Sequence, residues 1–126
     1  MYPIRHVIDL TVNSSGAATV YTAQPVAGRV LQMRYVPHAT TPLDTGAGLT
    51  VTGEETGLAI ATLTSIGTSA FTKVPRQATH GVTGTALVYA STDAVAEPPY
   101  VAGERIKVVV ASGGTSKSGT LHILVG

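Results

Sequence analysis

The sequence predicts an all-β domain, a β-sandwich or a partly open β-barrel, on three observations. Apolar and polar residues alternate with period two in several segments, Gly- and Pro-rich turns separate those segments, and β-branched Val and Thr are abundant within them. The 126 residues suit a single domain spanning 1–126, long enough to bury one core. Eight or so short strands are expected, and jelly-roll and immunoglobulin-like wiring both fit that count.

Residues 4–12 place Ile4, His6, Ile8, Leu10 and Val12 on one face and Arg5, Val7, Asp9 and Thr11 on the other. Asn13, Ser14, Ser15 and Gly16 read as a tight turn and residues 17–22 as a second strand, so the two are expected to form a hairpin. After a turn at 25–28, residues 29–36 form a third strand. It sets Val30, Gln32, Arg34 and Val36 against Leu31, Met33 and Tyr35, an imperfect alternation that suits either a core strand with Arg34 reaching solvent or a sheet face used in a subunit contact.

Residues 37–48, with two prolines and two glycines, read as a loop. Residues 49–52 form a short strand, 53–57 a polar turn, and 58–66 a strand for which helix is the competing reading at the alanines. Further strands are expected at 69–74 and 85–91, separated by a loop at 75–81, and 93–103 reads as a loop around Pro98 and Pro99. The strongest β signal closes the chain. Residues 105–111 suit a central strand, and 120–125 suit its partner across 112–119 in a long hairpin.

Charged residues are only 12% of the chain against 44% hydrophobic, so Thr, Ser and Gly must cover much of the surface. The formal net charge of +1 gives no field to steer the protein to nucleic acid or an anionic membrane. The eight Lys and Arg residues are scattered, without the dense run or aromatic platforms of a nucleic-acid site. Cysteine is absent, which excludes disulfides and thiolate chemistry. No membrane-length apolar run occurs, and Arg5 and Asp9 interrupt the start where a secretion signal would be apolar; the mature chain is expected to begin at or near Met1.

No catalytic, cofactor-binding or metal-binding residues are assigned. The four histidines, His6, His38, His80 and His122, lack metal-site spacing; His6 and Asp9 would sit on opposite strand faces, although His6 and His122 could meet if the terminal strands pair. A serine nucleophile has no Gly-x-Ser-x-Gly elbow. Glu54 and Glu55 are read as solvating a turn. The stretch 113–119 lacks the order of a phosphate loop, since Lys117 follows Ser116 rather than Gly and the next element reads as a strand.

The runs TVTGEETG at 50–57, VPRQAT at 74–79, ERIKVVVASGG at 104–114 and KSGT at 117–120 together resemble the capsid decoration, or cement, proteins of tailed bacteriophages. The resemblance implies a β-rich virion protein, assembled in the host cytoplasm, that sits on the capsid surface as a homo-oligomer and bridges major capsid protein subunits. It implies no enzyme activity, no cofactor, and no direct contact with nucleic acid or membrane. A tail, head-completion or other phage assembly component is the alternative, and a ligand-binding module is a more distant one. The loops at 37–48, 93–103 and 113–119 are the expected contact regions, through Pro37, His38, Asp44, Asp93, Pro98, Pro99, Tyr100 and Lys117.

Overall fold

The computed structural model describes residues 2–88 and 95–126, and among them the chain is all-β, with eleven strands and no helix. One sheet contains β1 (Ile4–Thr11), β11 (Ser118–Val125), β3 (Val26–Pro37) and β6 (Phe71–Lys73) in that order, with β9 (Tyr100–Glu104) also paired to β3. The second contains β2 (Ala18–Tyr21), β10 (Ile106–Ala111), β4 (Gly48–Gly53) and β5 (Ala59–Leu63). The short strands β7 (Gln77–Ala78) and β8 (Ala96–Glu97) pair apart from both. All ladders between these strands are antiparallel.

Period two places the core. Ile106, Val108 and Val110 of β10 are buried from one sheet, and Leu121, Ile123 and Val125 of β11 from the other. Ile8, Leu10, Met33, Tyr35, Leu49 and Val51 fill the space between them. Val26, Val30, Ile60 and Val101 complete the core, and the residues that alternate with the buried ones along β10 and β11 face outward, as a half-buried antiparallel sheet requires.

Two expected hairpins are not formed. β1 pairs with β11 and β2 with β10, so the tight turn after β1 carries the chain from one sheet to the other. β10 and β11 likewise lie in different sheets, each flanked by two other strands. Both are apolar on one face, and placing them in opposite sheets turns those faces toward a common core. Ser112, Gly114 and Ser116 in the connection have φ of 57°, 91° and 52°, left-handed backbone that turns the chain across the gap.

The imperfect alternation of the third strand has a local cause. Leu124 pairs with Gln32 but Val125 with Val30, which leaves Leu31 as an extra residue in a β-bulge. Buried positions therefore change phase, from Val26 and Val30 before the bulge to Met33 and Tyr35 after it. Ile60 is a second extra residue, opposite the step from Val51 to Thr52, and Gly103 (φ 74°) a third, opposite the step from Val26 to Ala27.

Other boundaries also shift. The strand at 58–66 contracts to β5, and that at 69–74 to β6. The segment 85–91 shows only isolated bridging up to Val88, His80 pairing with Ala86, and its last three residues lie outside the described ones. The expected loop at 93–103 instead holds β8 and β9. Pro98 and Pro99 do interrupt regular pairing, but only between those two strands; the Pro99 carbonyl accepts from Val30 N at 2.9 Å and leads the chain into the β3 ladder.

Replacing Val108 by Asp should cost several kcal/mol, about the penalty for burying an unpaired charge, because Val108 has no exposed surface. Val109→Asp on the outward face is the control. Urea unfolding of both variants is expected to show a large loss for the first and a small fraction of it for the second; equal losses would contradict the two-sheet arrangement.

Candidate functional site

One end of the sandwich is built from three connections tied together through their backbones. In the turn after β1, Asn13 Oδ1 accepts from Ser15 N at 2.9 Å and Ala17 N at 3.2 Å. Gly16 (φ 80°) then approaches the β10–β11 connection so closely that a Cβ would lie 2.9 Å from Gly114 N. Gly113 N donates to Gly16 O at 2.9 Å, while Gly113 O accepts from Asp44 N at 3.1 Å in the loop after β3. Ser118 N donates to Thr41 O at 2.9 Å. The Gly-rich stretch at 113–119 is thus clamped between two loops.

A buried tyrosine anchors this end from below. Tyr35 packs on Phe71 with ring centroids 5.4 Å apart, and its hydroxyl accepts from Leu43 N at 3.4 Å. Burial pushes the phenol above its ordinary value, so the hydroxyl keeps its proton. Gly119 has no side chain because the Tyr35 ring occupies its place, a Cβ there lying 2.5 Å from the ring. Leu43 and Ala47 are fully buried, so the loop at 37–48 is partly a core element.

The expected contact residues divide into two groups. Pro37, His38, Asp44 and Lys117 come together at the tied end. His38 and Asp44 are exposed, while Pro37 and Lys117 are half-buried. His38 Nδ1 accepts from the backbone N–H groups of Thr40 and Thr41, both at 3.2 Å, an arrangement that fits the tautomer with its proton on Nε2. Pro98, Pro99 and Tyr100 lie toward the other end of β3, where Tyr100 pairs with Arg29. The strand from Arg29 to Pro37 separates the groups by about 26 Å. Pro99 is buried, which corrects its assignment as a surface contact, whereas Tyr100 is 53% exposed. Asp93 lies outside the described residues.

Sequence reasoning missed a polar corner where β9 passes into β10. Glu104 is 4% exposed, yet its Oε1 accepts from Glu55 N at 2.8 Å and Thr56 N at 3.0 Å, and its Oε2 from Thr56 Oγ1 at 2.6 Å. Hydrogen bonds from the Thr56 side chain and backbone hold the carboxyl below its ordinary value, against the effect of burial. Gly53 beneath it has no room for a Cβ. Glu54, expected only to solvate the turn, forms a two-point pair with Arg105, Nε to Oε2 at 2.6 Å and Nη2 to Oε1 at 2.5 Å. Arg105 also lies 4.4 Å over the Tyr21 ring. The Arg105 hydrogen bonds draw the Glu54 carboxyl below its ordinary value as well. Glu55, the other half of the adjacent carboxylate pair, is exposed and, among the described residues, engages through its backbone alone.

The terminal strands do pair, but in a register that keeps their histidines apart. His6 stands opposite Ile123, and His122 opposite Val7, so the imidazoles occupy opposite faces of the sheet. Among the described residues, no three His, Asp or Glu side chains gather as metal ligands, and no helix is long and apolar enough to cross a membrane. A shallow groove of about 170 Å³ runs beside the tied end, lined by Asp9, Thr11, His38 and β11 residues. A wider cleft of about 360 Å³ opens between β5 and β6.

No family model and no curated protein matches this chain. Among solved structures, FLHE has 11% identity and a TM-score of 0.39, covering 98% of this chain and 96% of its own. An exo-β-1,3-galactanase from Phanerochaete chrysosporium, solved with galactose, has 14% identity and a TM-score of 0.34; the match covers 98% of this chain and 27% of the galactanase. Likenesses at this level carry no inference about activity.

The Glu104 corner predicts a defined acid response. Its folded value lies below the ordinary 4.5, so its contribution is present above about pH 4.5 and is lost as pH falls through the lower folded value. Glu104→Gln should melt lower than wild type at pH 7 and show a flatter fall in Tm below pH 4.5; parallel curves would refute the linkage. For the buried phenol, Tyr35→Phe should cost about 1–3 kcal/mol by leaving Leu43 N unpaired. Hydrogen exchange is expected to show the Leu43 amide losing protection before the β11 amides do.

Proposed function

We propose that this protein decorates an assembled bacteriophage capsid and stabilises it by bridging major capsid protein subunits. The observation that carries the reading is the separation of the two contact groups: Pro37, His38, Asp44 and Lys117 at one end of β3, and Pro98 and Tyr100 toward the other. A bridge needs surfaces that reach different neighbours, and a strand-stiffened span of about 26 Å suits that task. The resemblance to cement proteins points the same way.

The chemistry of the tied end is compatible with this role. Its connections satisfy one another through backbone hydrogen bonds, so it can meet a partner without first becoming ordered. Few charges need to be desolvated on binding, in keeping with the chain's 12% charged content. On a shell, many modest contacts act together through repetition. In this reading the chain is a binding scaffold at the virion surface, without catalytic residues or a cofactor, and His38, Asp44 and Tyr100 are its leading contact side chains.

The experiment compares otherwise identical shells with and without the protein. Cryo-electron microscopy should find it at symmetric positions between capsid subunits, and shells carrying it should rupture at higher temperature or lower salt. Combined His38→Asn, which keeps an acceptor for the Thr40 and Thr41 amides, and Asp44→Ala should weaken shell binding by about tenfold, about 1.4 kcal/mol, with melting of the free variant confirming that it is folded. Density confined to a tail or a unique vertex would transfer the reading to a tail or head-completion component. Absence of the protein from every part of the particle would reject both.

A further inference from the structure

Among the described residues, the edge of β1 away from β11 has no strand partner, and it differs from the other sheet edges. Edge strands leave backbone N–H and C=O groups unpaired, and proteins blunt them with short lengths, bulges or charge. Here β2 has four residues and β6 three, while β5 and β9 are interrupted by the bulges at Ile60 and Gly103. β1 runs for eight residues in unbroken register with β11.

The direction of its unpaired groups follows from that register. Val12 N donates to Lys117 O at 3.0 Å, continuing the β1–β11 pairing by one residue. The even-numbered residues of β1 therefore direct their backbone groups toward β11, and Arg5, Val7, Asp9 and Thr11 direct theirs to the open edge. Arg5, Val7 and Asp9 are also exposed on the outer face, Val7 by 58%. Arg5 and Asp9 make no side-chain hydrogen bond or ion pair among the described residues; the one salt bridge there is that of Arg105 with Glu54.

We propose that this edge is the interface of a symmetric homodimer, in which β1 pairs antiparallel with β1 of a second copy about a two-fold axis at Val7. That axis sets Arg5 of each copy opposite Asp9 of the other and Val7 opposite Val7. All of these are hydrogen-bonded pairs, giving about six backbone hydrogen bonds across the edge. The strand is self-complementary in this one register. An axis at Arg5 or Asp9 would oppose like charges, and an axis at His6 or Ile8 would set Val7 against a charge. An isologous contact of this kind closes on itself and leaves no growing edge. The contact rests on strand geometry and charge order and does not depend on the shell reading.

Sedimentation of the purified protein, with no shells present, tests the assignment. Wild type is expected to be dimeric at about 100 µM. Arg5→Asp and Asp9→Arg should each raise the dissociation constant by at least about tenfold, because each opposes like charges at two places. The double variant Arg5→Asp/Asp9→Arg should restore wild-type association, and the two single variants mixed together should form a heterodimer. Val7→Pro should abolish pairing by removing an edge N–H that β11 does not use, with melting curves confirming that each variant is folded. A monomeric wild type overturns the proposal. So does a dimer that these changes leave intact, or a double variant as weak as the singles. A monomer that still binds shells refutes the dimer alone, and a dimer that ignores shells refutes the shell reading alone.

Discussion

The fold depends on the passage between β10 and β11. These are the most regularly apolar strands of the chain, and the left-handed backbone at Ser112, Gly114 and Ser116 sends them into opposite sheets. Once they are separated, each becomes the inner strand around which its sheet assembles: β1 and β3 flank β11, while β2 and β4 flank β10. The inward residues of both strands then bury against each other's sheet. If they paired side by side, their apolar faces would fall on one surface, and a second layer would have to come from weaker strands. The crossing also dictates the surface at that end, because the turn after β1 and the loop after β3 hydrogen-bond to its backbone.

Sequence periodicity reports which residues share a strand face, and here it located β1, β4, β10 and β11 closely. It carries little information about which strand a face is paired with. The hairpins expected at 4–22 and 105–125 failed for that reason: a turn rich in Asn, Ser and Gly suits a chain reversal within one sheet and a passage between two equally well. Bulges are hidden differently. Leu31 looks like one more apolar residue in an uneven strand, and only the partner's register reveals it as an insertion. The β8 and β9 pairings were masked in sequence by Pro98 and Pro99, yet a proline carbonyl can still accept, as Pro99 does from Val30.

The same limit applies to the site. The loops after β3 and between β10 and β11 were legible as contact candidates from their turn residues, but nothing local indicates that they touch each other or that Pro98 and Tyr100 lie far from them. Glu104 was harder to find. Its partners Glu55 and Thr56 are some fifty positions earlier in sequence, 49 and 48 residues away. A glutamate between Gly103 and Arg105 looks like surface charge until the fold brings the 53–57 turn over it. The TVTGEETG run could have given a signal, since a turn with two small residues and unpaired amides needs an acceptor.

The corner and the edge show charge used sparingly for different ends. At the corner, Glu104 and the Glu54–Arg105 pair fix a turn to the place where the chain changes sheets, so their geometry is set within one chain. On β1, Arg5 and Asp9 have no such partner among the described residues and are spaced for an equivalent strand running the other way. A protein with so few charges gains specificity from where they are placed. Scattered over the surface, they would merely keep the molecule soluble. Ordered along a regular edge, they select one register from several that the backbone alone would accept, so the same edge that risks unselective pairing becomes a defined contact.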